Sequence, residues 1–362
     1  MTTAIDDLLS VETLTGMIQT FADQAENRSC SALFSRAARP LYPEGDSASW
    51  DEVVFSRHLA PVSGPDSPHT RAKRLGRSKR SSSMAMVKVY KDLPSSHLFL
   101  QRAPGSNMAD AEAVLTAELE DLANLIANTK EFLACGALLG KIEVSPQTVP
   151  GSDINFTVDF GNNKADAQQA WNDPAAEIRS KEMLRIKQLF KDQSGMRAAI
   201  GITEPTVEGY LVQNVEIREF AKQPLGAVIL RNLNLSGVNP QWEILAGLSW
   251  QFTDGTYKPE NADVQRYFPN DHVVVLPGEN RLPQVLGWAE GKVHVPAGPL
   301  AAGAQSALSL IQELRGTYAY AEVRTDPVGI RVYAGWYGLP VVLNPNAVLT
   351  YRVVPQAVTP AP

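Results

Sequence analysis

The stretch NMADAEAVLTAELEDLANLIANTKEFLACGALLG, Asn107 to Gly140, decides the fold. Leu115, Leu119, Leu122, Ile126, Thr129 and Leu133 recur at steps of three and four, which lays one largely apolar stripe along a helix. Ser106 or Asn107 caps its start, Asp110 and Glu112 suit the positive end of the helix dipole, and Gly140 closes it. At 1.5 Å per residue the helix to Leu139 spans roughly 50 Å, long enough to be the backbone around which the rest is built. Glu112, Glu118, Glu120 and Asp121 form an acidic face on it, by default a solvated one.

Downstream, Lys141 to Gly161 predicts a hairpin: Ile142 and Val144, a turn at Pro150-Gly151, then Ile154, Phe156, Val158 and Phe160 in alternation. A helix is expected from Pro174 to Gln193 and a strand from Ala198 to Ile202. Thr203-Glu204-Pro205 then starts a helix running from Val207 to Phe220. The remainder reads mostly as strands: Val228–Leu230, Leu245–Phe252, His272–Leu276, Val285–Trp288, Thr317–Val323, Ile330–Trp336 and Val341–Val354. Ala301 to Leu314 is a further helix candidate. The class is α+β, with no repeat of fixed period.

Upstream, residues 4 to 24 carry Ile5, Leu8, Leu9, Leu14, Ile18 and Phe21 at helical steps. Too few apolar residues follow to cover them, so the segment reads as an arm without a partner in its own chain. Two strands are expected at Trp50–Arg57 and Met84–Tyr90. Between them lie Pro61, Gly64, Pro65 and Pro68, a run of six basic residues (Arg71, Lys73, Arg74, Arg77, Lys79, Arg80) and Ser81-Ser82-Ser83. This is a two-stranded excursion with a polar, flexible tip, too long for a compact domain unless it has a task.

The chain has 362 residues, 33 basic and 39 acidic, for a net charge of −6. Without the basic run, 27 basic residues would face 39 acidic ones. Six like charges in ten positions repel one another unless something negative lies opposite, either nucleic acid or an acidic protein surface. No apolar run approaches the roughly 20 residues of a membrane span. Asp6 and Asp7 stand where an export signal would be basic, so a cytosolic origin is expected.

Signals for chemistry are missing. Gly247-Leu248-Ser249-Trp250-Gln251 lacks the second glycine of a nucleophile elbow. No phosphate-cradling loop follows Gly136 to Gly140. The five histidines lie far apart, and Cys30 and Cys135 lack metal-ligand spacing. No catalytic residue, metal site or cofactor is therefore expected. Cys135 reads as a buried free thiol, His272 as a strand-end residue, and the scattered tryptophans as core or interface anchors.

Five short pieces, in order, resemble the lambda-type phage major capsid protein E family. They are Trp50-Asp51-Glu52-Val53-Val54-Phe55 with Leu59-Ala60-Pro61; Asn155-Phe156-Thr157-Val158-Asp159-Phe160-Gly161; Trp171-Asn172-Asp173-Pro174; Phe268-Pro269-Asn270-Asp271-His272-Val273-Val274-Val275; and Gly338-Leu339-Pro340-Val341-Val342-Leu343-Asn344-Pro345-Asn346. The resemblance implies the tailed-phage major capsid fold and a structural protein rather than an enzyme. Its implied parts are an N-terminal arm (1–49), an extended E-loop (50–103), a P-domain with spine helix and hairpin (104–195), an A-domain (196–315) and return strands (316–362). It implies hexamers and pentamers of this chain closing an icosahedral head, assembled in the host cytoplasm. Scaffold, portal and decoration proteins are the further partners it suggests; DNA is enclosed without sequence-specific contacts. Arg71, Lys73, Arg74, Arg77, Lys79 and Arg80 are then expected to meet the Glu112, Glu118, Glu120 and Asp121 face of a neighbouring subunit. The alternative is a nucleic-acid-binding protein using residues 71–80, although the chain is acidic overall and has no stacking aromatics beside the run.

Overall fold

The computed structural model describes residues 10–24, 29–53, 77–94, 111–146, 148–149, 152–222, 242–245, 247–258, 263–296, 311–326 and 328–355. In chain order, the first part comprises α1 (Val11–Gln24), α2 (Ser29–Ala37), β1 (Arg39–Leu41), β2 (Ser47–Val53), β3 (Arg77–Ser83), β4 (Ala85–Pro94), α3 (Ala111–Leu139), β5 (Lys141–Val144) and β6 (Phe156–Asp159). Then come β7 (Asn163–Asp166), a π-helical turn (Ile178–Glu182), α4 (Met183–Ser194), β8 (Ala198–Thr203), α5 (Pro205–Gln213) and α6 (Val215–Lys222). The last part is β9 (Trp242–Leu245), β10 (Leu248–Phe252), β11 (Thr256–Tyr257), β12 (Gln265–Arg266), β13 (His272–Pro277), β14 (Leu286–Glu290), β15 (Lys292–Pro296), β16 (Ile311–Thr325), β17 (Val328–Val342) and β18 (Leu349–Arg352).

The spine helix α3 buries its stripe as its period requires: Leu115, Leu119, Leu122, Ile126 and Leu133 are all in the first core. Gly140 ends it in a left-handed conformation, φ +97°, which a side chain would oppose. Its expected start at 106–110 lies outside the described residues. A sheet in the order β1-β14-β17-β16-β15 packs on this helix. The 15-residue strand β17 is its centre. It pairs with β16 along one edge and, on the other, with β4 (Gly329↔Pro94 to Gly338↔Ala85) followed by β14 (Gly338↔Glu290 to Val342↔Leu286). Gly335 on β17 has no room for a side chain, since a Cβ there would meet the Val87 carbonyl and the Tyr318 ring at 2.5 Å.

A second core gathers Trp171, Phe190, Trp250 and Tyr351 under the sheet β7-β18-β13-β8-β10-β9. Glu204 caps α5 by accepting the Thr206 N–H at 2.9 Å, with Pro205 in the first turn, as the sequence predicts. The β5–β6 hairpin and the strand-end position of His272 also match the reading. Cys30 and Cys135 are both buried free thiols.

Several expectations are corrected. The N-terminal apolar stripe does have a partner in its own chain: Val11, Leu14 and Ile18 are buried as α1 packs against α3 and β16. Thr15 Oγ1 donates to the Ala319 carbonyl at 3.2 Å and accepts its N–H at 3.1 Å. That partner lies about 300 residues away, beyond the reach of local reading. The strand at 47–53 pairs with Arg77–Ser83 rather than with Met84–Tyr90, which instead joins β17. The end of the basic run is thus strand and not a flexible tip; a strand without apolar residues leaves no alternation to read. The helix expected over 207–220 is two, because extended Asn214 ends one and its Oδ1 accepts the Ile217 N–H of the next at 3.1 Å. The helix expected over 174–193 begins only at Ile178, as a π-helical turn. Ile311–Leu314, assigned to a helix over 301–314, opens β16; residues 301–310 and the strand at 228–230 lie outside the described residues.

Candidate assembly surface

The basic segment enters the described structure at Arg77; Arg71, Lys73 and Arg74 lie outside it. From Arg77 the chain forms β3, whose ladder runs from Ser47↔Ser83 to Val53↔Arg77. Backbone pairing holds this ribbon together, because β3 itself reads Arg-Ser-Lys-Arg-Ser-Ser-Ser. Two contacts tie the ribbon to the hairpin behind it. The rings of Trp50 and Phe160 meet at 6.2 Å, and Arg80 Nη1 donates to the Asp159 and Phe160 carbonyls at 3.3 and 3.4 Å.

Within the ribbon the cations are partly answered from the same chain. Arg80 Nε stands 2.7 Å from Glu52 and Arg77 3.8 Å from Asp51. Cross-strand register opposes Trp50 to Arg80, Asp51 to Lys79 and Glu52 to Ser78. Lys79 is exposed and lines a cleft of about 500 Å³ together with Arg39, Arg77, Trp50, Leu41 and Leu343. Three cations and one carboxylate, Asp51, are among the residues that line this cleft.

The acidic face of α3 is also partly engaged. Lys91 on β4 binds Glu118 at 2.5 Å and binds Asp121 as well. Burial works against the Lys91 charge, but the bonds to Asp121 and Glu118 outweigh it and hold its pKa above the ordinary lysine value. Glu120 is exposed, and the side chain of Glu112 is outside the described set. Among the described residues, the structure therefore does not join the basic run to this face within one chain. It brings Lys91 there instead, a residue that the sequence reading passed over because it lies in a strand 27 positions before Glu118.

A second charged group is new. Arg331 on β17 grips Asp92 on β4 in a fork, Nε to Oδ1 at 2.5 Å and Nη2 to Oδ2 at 2.8 Å, and Arg324 adds a contact at 3.3 Å. The bond from Arg331 holds the Asp92 carboxyl below the ordinary carboxylate range. Beside it Tyr320, Tyr333 and Tyr90 form a row of adjacent rings, with Arg331 over Tyr90 at 4.5 Å. Cross-strand register explains the row, since Tyr333 lies opposite both Tyr320 and Tyr90.

The model of the family described as phage major capsid protein E matches residues 46–353. No curated protein matches the chain. Among solved structures, a protein assigned as the capsid protein of a prophage of E. coli CFT073 aligns with TM-score 0.57 and 13% identity, over 94% of this chain and 99% of that one. A phage-related protein of Bordetella bronchiseptica RB50 aligns with TM-score 0.52 and 10% identity, over 95% and 97%.

Proposed function

We propose, from the premise that the chain belongs to the phage major capsid protein E family, that it assembles into hexamers and pentamers closing an icosahedral head around double-stranded DNA. Membership makes it a capsid shell protein of the virion, with the tailed-phage capsid fold, and not an enzyme. The observation that carries the reading is the family match over residues 46–353, which takes in the spine helix, the second core and the ribbon and leaves out only α1, α2 and β1. In this reading α3 and the first core form the P-domain. The second core forms the A-domain, and to it β7 and α4 contribute from within 104–195. The β2–β3 ribbon is the base of the E-loop. Assembly takes place in the host cytoplasm, with scaffold, portal and decoration proteins as further partners.

The basic segment 71–80 is the proposed contact with a neighbouring subunit, and the acidic side of that neighbour's α3 is its proposed counterpart. Support comes from Lys79 and the cleft it lines on one side and exposed Glu120 on the other. One exposed ion pair contributes only about 0–1 kcal/mol. Several, repeated around a ring, set register and association rate through long-range attraction.

Sedimentation velocity and electron microscopy of the purified protein test the shell reading: closed shells or discrete capsomers are expected, and a monomer at every concentration would sink it. Reversing Arg71, Lys73, Arg74 and Lys79 to Glu tests the contact while sparing Arg77 and Arg80, which have partners in their own ribbon. Assembly should slow or stop, and Glu112→Lys with Glu120→Lys should partly restore it. Normal shells with loss of salt-sensitive DNA binding would favour the nucleic-acid reading of this segment.

A further inference from the structure

Shell formation makes no use of a buried group of two thiols and a carboxylate. Cys30 lies in the first turn of α2. Glu131 and Cys135 sit one turn apart on α3, so their side chains leave the same face of the spine. The sulfur and oxygen atoms of the three lie within 4.8 Å of one another, and all three residues are fully buried. Cys135 Sγ stands 3.6 Å from Glu131 Oε1.

We infer that Cys30, Glu131 and Cys135 form a buried binding site for a soft divalent cation, zinc by donor chemistry, which fastens α2 to the spine helix. Two thiolates select zinc over magnesium or calcium. In a tetrahedral zinc site ligand atoms stand about 3.5–4 Å apart, so the group needs a contraction of about 1 Å or less. The carboxylate is already oriented as ligating carboxylates are: Oε1 accepts the Cys30 N–H at 2.9 Å and Oε2 the Ser31 N–H at 2.7 Å. Each oxygen keeps a lone pair for a metal. Two thiolates and a carboxylate around a divalent cation leave one negative charge, which faces the positive end of α2. Ser29 Oγ, one residue before Cys30, is buried beside the Cys30 thiol and is a candidate fourth donor.

Binding releases the two thiol protons, since the thiolate is the ligand.

The test is titration of the full-length, reduced, metal-stripped protein with cobalt(II) as a spectroscopic stand-in for zinc. The expected result is a near-ultraviolet thiolate-to-cobalt charge-transfer band that saturates at about one equivalent per chain and is displaced by zinc. Cys135→Ser should weaken cobalt binding by about 100-fold or more. If the cysteine variants do not fold, the wild-type spectrum decides alone. A cobalt spectrum without a thiolate band overturns the inference, as does a Cys30–Cys135 disulfide in protein purified without reductant. Neither result bears on whether the chain forms shells.

Discussion

Leu122 and Glu131 lie on the same helix, and both are buried. Leu122 belongs to a stripe whose period is visible in the sequence. Leu122→Asp is expected to cost about 3 kcal/mol or more, since a carboxylate would enter the first core without a partner. Denaturant unfolding of the variant should show a lower midpoint, and an unchanged midpoint would place the stripe outside a core. Glu131 reads as a surface charge by residue type, yet its oxygens are satisfied by two backbone N–H groups about 100 residues earlier. A signal was present nonetheless. Glu131 falls in phase with Ala123, Ala127 and Cys135, a row of small residues that is itself buried. A charge in the middle of such a row marks a built polar contact.

Among the elements, β17 shows why pairing escapes local reading. Its edge is divided between β4 and β14, which stand about 200 residues apart in sequence. The Asp92–Arg331 fork clamps the β4 part of that edge. Because Asp92 has its pKa depressed in the folded state, its stabilisation is present above the ordinary carboxylate pKa and is lost as pH falls through the depressed one. Asp92→Asn should lower the melting temperature near neutral pH, and the gap from wild type should close in acid. A gap that stays constant across the pH series would show that the fork is not the cause. Lys91 makes a similar link one residue away, from β4 to α3. Both links join residues whose charge was legible while their partners were not.

For the molecule as a whole, the arm is the main revision. An apolar stripe with no partner in its own chain would be cut by protease in a free subunit and spared in a shell. With Val11, Leu14 and Ile18 buried against α3 and β16, Val11–Gln24 should resist limited proteolysis before assembly as well as after. Mass spectrometry of the fragments checks this, and cleavage inside Val11–Gln24 of unassembled protein would count against the docked arm.

Sequence alone determined what local periodicity and chain chemistry can encode. The spine helix follows from a step of three and four, the β5–β6 hairpin from alternation, and the start of α5 from a cap followed by proline. The five family pieces, all within the matched residues 46–353, carried the capsid reading. Only the tertiary structure decided which strand pairs with which, where the arm goes, and that Cys30 meets Cys135 and Glu131. The physical reason is the same in each case. These contacts close loops that run from the 24 residues between paired Val53 and Arg77 to the 304 between Thr15 and Ala319, and the hydrogen bonds, ion pairs and buried faces that favour one closure exist only once both ends have met.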